Sequence, residues 1–297
     1  SFTKSLKIDV TTADASLAVS ARLPLCYKME GQDLQQVAKG TSSAKELTLS
    51  FYIKATKTGT QIVELFDHDN TRHCAKSVTI NSSNTWEFKT ITYPADTTGA
   101  FDNDNAQSLS IFFGIAVGTN FTSGTLATAW AANDNTNRFV GQVNHFDSTD
   151  NNFEITGIQL EVGDSATEFE HRSFAEELPL CQRYFERIES ADGSRGVSSY
   201  VLGGGVWYTT TQVLASLQYN VTKRVSPTIS VSGAGALKAY GNGYARTAND
   251  TTCFDQIEEK TARVNIGAWS GGASGTAGYG TLVQMVQGNG VNIDAEL

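Results

Sequence analysis

Apolar and polar residues alternate with a period of two in nearly every segment of the chain that has a clear pattern. Leu47-Thr48-Leu49-Ser50-Phe51-Tyr52-Ile53 alternates about an apolar face, and so do residues 61–66, 86–91, 109–113 and 153–160. These runs are rich in β-branched and aromatic residues. Polar turn stretches such as Lys57-Thr58-Gly59, Asn81-Ser82-Ser83-Asn84 and Asp102-Asn103-Asp104-Asn105 bound them. A β-strand turns successive side chains to opposite faces, so this pattern predicts half-buried strands. Many short strands with polar turns predict an all-β protein, an antiparallel β-sandwich. Trp86, inside one such run, is expected in the core.

Helical signal is sparse. Ser173 followed by Glu176 fits a capping box, but Pro179 comes soon after and predicts one short turn rather than a helix. A second turn is expected over 125–132.

Glycine usage changes along the chain. Ten of the 27 glycines fall in the first 180 residues, which leaves 17 for the last 117. The shift predicts a domain over 1–172, a linker with a short helical turn over 173–180, and a second, smaller Gly-rich β-domain over 181–297. No repeat of fixed period is visible.

Charge narrows the partners. The net charge is −9 and the longest basic cluster is the pair Lys223-Arg224, so nucleic-acid binding is not expected. No apolar run approaches the roughly 20 residues of a membrane helix, and no membrane insertion is expected. No signal-like start is visible, and the chain opens on Ser1 rather than methionine, which suggests a trimmed start. Cys26, Cys74, Cys181 and Cys253 are too far apart in sequence for zinc-site spacing and read as thiols of a protein made in a reducing cytoplasm. Sequons at Asn81, Asn120, Asn220 and Asn249 would then stay bare.

Candidate chemistry is thin. The histidines are His68, His73, His145 and His171, and no nucleophile elbow accompanies them, so no catalytic residue is assigned. Acidic residues such as Asp67, Asp69, Glu161 and Glu170 are frequent, but no pair stands out for glycoside hydrolysis. Asp67-His68-Asp69-Asn70 has two readings, a solvated turn or a calcium site using Asp67 and Asp69; no other cofactor or metal is expected. Aromatic residues in polar surroundings are more informative. Trp130 lies in Ala129-Trp130-Ala131-Ala132-Asn133, and Tyr240, Tyr244 and Trp269 lie among Gly, Ser and Asn. Such rings either stack on a sugar face beside amides and hydroxyls or plug a core or subunit interface. For binding, the acidic chain suits a neutral or basic glycan.

Two stretches carry a resemblance. Residues 27–35 and 44–55 resemble jelly-roll modules of the carbohydrate-binding type. Phe153-Glu154-Ile155-Thr156-Gly157-Ile158-Gln159-Leu160-Glu161-Val162-Gly163, with Glu170-His171-Arg172-Ser173 after it, is similar to the close of such a module in phage tail-fibre and other virion proteins. Residues 176–185, 219–229 and 293–297 continue the likeness. The resemblance implies a jelly roll, a virion exterior appendage synthesised in the host cytoplasm, attachment to a host-surface glycan, contact with other virion proteins, and a strand-forming segment ahead of Ser1. The first rival roles are a capsid decoration and a glycan depolymerase. A Gly-rich module of about 117 residues buries a modest core alone, so a homotrimer is expected, with Val213, Leu214, Leu217, Ile229 and Val231 facing a neighbour.

Overall fold

The computed structural model describes residues 2–190, 199–241, 244–249, 251–270 and 275–297, with backbone only at 199 and 244. Strands take 44% of the chain and helices 9%, so the protein is all-β. It divides into two compact units, Ser1–His171 with Leu297, and Arg172–Glu296.

The first unit is a jelly-roll sandwich. Its strands are β1 (Leu6–Asp9), β2 (Arg22–Glu30), β3 (Leu47–Ala55), β4 (Gly59–Asp67), β5 (Arg72–Ile80), β6 (Glu87–Tyr93), β7 (Gln107–Val117), β8 (Ala131–Ala132) and β9 (Asn152–Val162). One sheet has the order β1-β9-β3-β6 and the other β2-β7-β4-β5-β8, and neighbouring strands run antiparallel. The odd-numbered residues Leu49, Phe51 and Ile53 of β3 turn inward against Leu65, Ile111 and Phe113. The Phe51 and Phe113 rings meet edge to face at 5.2 Å, a favoured aromatic geometry.

The two outer faces of this sandwich differ. Over the five-stranded sheet, Ile62, Ala75 and Phe112 form a second apolar cluster with Phe139 from the 119–143 segment. Glu64, fully buried on that face, receives Arg138 Nε at 2.7 Å and lies 2.9 Å from His73 Nδ1, so a charged bond ties the segment down. Strands buried on both faces lose alternation, which explains the apolar run Ile111-Phe112-Phe113-Gly114-Ile115-Ala116 in β7. On the outer face of the four-stranded sheet Tyr52 and Phe88 stay part-exposed.

The expected turn over 125–132 is replaced. Ala131 and Ala132 pair with His73 and Arg72, and the short 3-10 turns fall on Thr119–Phe121 and Asn135–Asn137.

The second unit opens with helix α1 (Phe174–Tyr184). The capping box forms: Ser173 N–H donates to Glu176 at 2.9 Å and Glu176 N–H to Ser173 Oγ at 3.3 Å. The helix does not stop at Pro179 as expected. Pro179 removes one N–H, but the first two turns are exposed, so the Ala175 carbonyl that loses its partner can be met by water.

Ten strands follow: β10 (Phe185–Glu189), β11 (Ser199–Trp207), β12 (Val213–Gln218), β13 (Thr228–Val231), β14 (Leu237–Gly241), β15 (Tyr244–Thr247), β16 (Phe254–Asp255), β17 (Thr261–Ile266), β18 (Gly280–Val286) and β19 (Gly290–Asp294). They form a seven-stranded sheet, β15-β14-β18-β11-β12-β17-β16, and a three-stranded sheet, β10-β19-β13. Val213 and Leu217 are buried in the core shared by both sheets, with Ile229 and Val231 packed against it. Four of the five residues expected to face a neighbour therefore face their own chain; Leu214 is half-exposed.

Candidate functional site

Of the aromatic residues singled out in the sequence, Trp130 lies in the first unit and Trp269 and Tyr240 lie in the second. Trp269 is only 7% exposed, lies 5.0 Å from the Trp207 ring, and donates Nε1–H to the Thr211 carbonyl at 2.7 Å. It is a core residue with its polar atom satisfied. Trp130 is half-buried against the jelly-roll core and donates Nε1–H to the Pro94 carbonyl at 2.8 Å. Its ring roofs the Lys39 ammonium, 5.3 Å away. Tyr240 is 46% exposed on β14, beside Leu282 of β18. The Tyr244 side chain, Asn242, Gly243, Gly271 and Gly272 lie outside the described residues.

In the acidic turn, Asp67 and Asp69 turn to different partners. Asp67 is buried, accepts the Lys39 ammonium at 2.6 Å and the Asn70 N–H at 3.0 Å. Asp69 instead accepts the Asp102 N–H at 3.0 Å. Lys39 also meets Asp96 at 3.1 Å, and Asp96 meets Arg72 at 2.8 Å. Two carboxylates and two cations neutralise one another, and the loops they join are held together.

His73 is locked to Glu64. His145 lies 3.1 Å from the Gln61 amide oxygen. His68 reaches Ser110 Oγ at 3.0 Å, and Ser110 is fully buried on β7.

The open face of the four-stranded sheet gathers what the sequence reading missed. Across β3 and β6, Tyr52 faces Phe88 and Ser50 faces Thr90. Tyr52, Trp86 and Phe88 are 36%, 40% and 50% exposed. The Tyr52 and Phe88 rings lie 5.0 Å apart at a tilt of 48°. Trp86 was expected in the core. The phase of β6 shows why it is not: Ile91 and Tyr93 are the buried positions, and Trp86 and Phe88 fall on the opposite parity.

This face floors a groove of about 950 Å³, closed on one side by residues 166–171 and on another by residues 2–5. The 166–171 segment folds back over the sheet because Gln159 and Glu161, the outward residues at the end of β9, hold it. Glu170 N–H donates to Gln159 Oε1 at 2.8 Å, and Thr167 N–H to Glu161 at 3.1 Å. The bond from the Thr167 hydroxyl, its largest influence, holds the Glu161 carboxyl below the usual range. Phe169 and His171 are thereby brought to 4.8 and 5.4 Å from the Phe2 ring.

A bulge in β9 sets the shape. Between Ser50 and Tyr52 of β3 the register slips by one residue on β9, and Gly157 there has φ +59°. That left-handed conformation favours glycine. Ile158, two residues from Leu160 in the alternating run, is exposed at the bulge, while Leu160 packs on the core.

The groove carries paired charge. Lys54 contacts Glu154 at 2.8 Å and its ammonium lies 5.2 Å from the Trp86 ring. Ser5 Oγ also donates to Glu154, at 3.1 Å. Burial raises the Glu154 carboxyl, but the bonds from Lys54 and Ser5 outweigh it and bring the group below its ordinary value. The groove thus offers flat apolar rings beside the Glu154 carboxylate, and the Lys54 ammonium paired with it lies against the Trp86 ring. That combination suits a ligand with an apolar face and a hydroxyl-bearing edge.

The fold is an antiparallel jelly-roll sandwich with an open aromatic groove, followed by a second β-sandwich. No family profile matches the sequence, and no curated protein matches it. Among solved structures, discoidin II from Dictyostelium discoideum is similar at 11% identity over 86% of this chain and 75% of that one, with a TM-score of 0.18. A structure described as a secreted protein of Parabacteroides distasonis is similar at 10% identity over 98% of this chain and 88% of that one, with a TM-score of 0.22. Neither score is high enough to transfer a site.

Proposed function

We propose that this chain is a non-enzymatic, adhesive structural protein of a virus particle, a tail fibre or receptor-binding appendage on the virion exterior. In this reading the groove of the first unit holds a glycan of the host cell surface. The observation that carries it is the exposure of Tyr52, Trp86 and Phe88 together on one sheet face. Burying such rings is favourable by ~1.5–3 kcal/mol each, so three left part-exposed on one sheet face mark a recognition surface. A sugar presents C–H groups to such rings and hydroxyls to Glu154 and Lys54. The virion setting rests on the resemblance of residues 153–173 to tail-fibre modules. A net charge of −9 favours a neutral or basic glycan over an anionic one.

Self-association as a homotrimer through the second unit belongs to the same proposal. Tyr240, Leu282 and Val206 are exposed on the outer side of the seven-stranded sheet, where Gly204, beside Leu282, adds no side chain. This apolar strip replaces the residues first expected at the interface.

The test is adsorption of particles to host cells in the presence of the purified chain, alongside a screen of the chain against host glycans. Competition with selective glycan binding supports the proposal. Competition absent and no glycan bound returns the chain to capsid decoration. Release of reducing sugar from the bound glycan makes it a depolymerase.

A further inference from the structure

We propose that Phe2 is an internal occupant of the groove, covering the Tyr52 platform and giving way when a ligand enters. This rests on the groove being a ligand site, and it adds a control on that site.

The position of the ring is the first observation. The Phe2 ring lies 5.6 Å from Tyr52 and 5.4 Å from His171, both tilted, and meets Phe169 edge to face at 4.8 Å. It therefore lies between the sheet floor and the 166–171 wall, where a flat ligand would have to sit to use Tyr52.

The second is a seat made for it. A Cβ on Gly157 would stand 2.4 Å from Phe2 Cζ. The bulge and its missing side chain open the space the ring fills, so the seat is written into β9 and is not a casual surface contact.

The third is the manner of attachment. The ladder between β1 and β9 begins only at Leu6. Ahead of it, Thr156 Oγ1 donates to the Lys4 carbonyl at 2.8 Å and Ser5 Oγ to Glu154 at 3.1 Å. Both bonds use groups that face the groove, and a ligand hydroxyl can replace either. The opposite wall is fixed by the backbone bonds from residues 167 and 170 to Glu161 and Gln159. The ring of Phe2 is thus the replaceable part of the groove.

A tethered ring competes at an effective concentration in the millimolar range. Weak single-sugar contacts are then excluded, and an extended ligand that also covers Trp86 and Phe88 displaces it. Removing the ring should tighten binding by about three- to tenfold, the range of one aromatic contact.

The experiment uses the full chain with 4-fluorophenylalanine at position 2, and the variants Phe2→Ala and Gly157→Asn. Asparagine tolerates the left-handed backbone while its side chain takes the seat. Indole is the first probe, and a panel of neutral hexose and N-acetylhexosamine oligosaccharides is the second. Saturating indole should move the fluorine resonance to its solvent position, and both variants should bind indole about three- to tenfold more tightly. A resonance that stays in place at saturation, or weaker indole binding by Phe2→Ala, overturns the proposal. An oligosaccharide that binds the parent chain and loses affinity in Phe2→Ala also overturns it, making Phe2 part of the platform while leaving glycan binding intact. Indole results as expected with no oligosaccharide bound by any form uphold the displacement of Phe2 and remove the glycan reading instead.

Discussion

His145 is buried in the first unit, with Nε2 against Gln61 and no hydrogen-bond partner for Nδ1 among the described residues. Burial, with a smaller contribution from Lys57, lowers its pKa from 6.5 to about 4. Between those values the unfolded chain takes up a proton that the folded chain refuses. Stability from this group is therefore complete above pH ~6.5 and is lost as the pH falls toward 4, by about 3 kcal/mol. Urea titrations of the parent chain from pH 7 to 4.5 should show the decline, and His145→Gln should flatten it; equal slopes would remove His145 as the cause. Trp269 yields a second prediction. Cutting it to Ala should cost the second unit about 3–5 kcal/mol while glycan binding by the first unit is kept. Lost binding with unchanged stability would return Trp269 to recognition. The roles of Trp86 and Trp269 were legible to different degrees. The parity of Trp86 and Phe88 against Ile91 and Tyr93 is readable in the sequence and places them outside. Trp269 owes its burial to Trp207 and Thr211, partners about 60 positions away, which no local pattern reveals.

At the scale of elements, alternation found the strands lining the first core, because one side of each faces that core. It could not tell which sheet would keep an open face. That was settled by the 119–143 segment, whose attachment through Arg138 and Glu64 joins residues 74 positions apart. Arg138→Ala would leave Glu64 buried beside His73 without its guanidinium, and should cost about 3–5 kcal/mol. Hydrogen exchange should quicken in 119–143 before the four-stranded sheet responds. Simultaneous quickening in both would mean that the segment is part of one cooperative unit. Pro179 shows a different limit: proline ends helices whose carbonyls must be paired inside the protein, and α1 begins in water. The bulge at Gly157 was visible only as a glycine in a strand, and its value to the groove depends on Phe2, far away in sequence.

At the scale of the whole molecule, self-association is open to a test by charge. Leu282→Arg together with Val206→Arg places cations on the exposed strip of the seven-stranded sheet. Sedimentation should give a trimer for the parent chain and a monomer for the double variant at micromolar concentration; a parent chain that sediments as a monomer contradicts it. Glycan binding by the open face of the four-stranded sheet can be measured directly. Trp86 lies on that face, so a host oligosaccharide titrated into the chain should change its fluorescence and give a dissociation constant by calorimetry. Trp86→Ala and Phe88→Ala should each weaken binding about tenfold, a loss near 1.4 kcal/mol, with the circular dichroism unchanged and Tyr240→Ala binding as the parent does. Undiminished binding by correctly folded Trp86→Ala and Phe88→Ala, or binding lost in Tyr240→Ala, would mean that the glycan does not bind on this face.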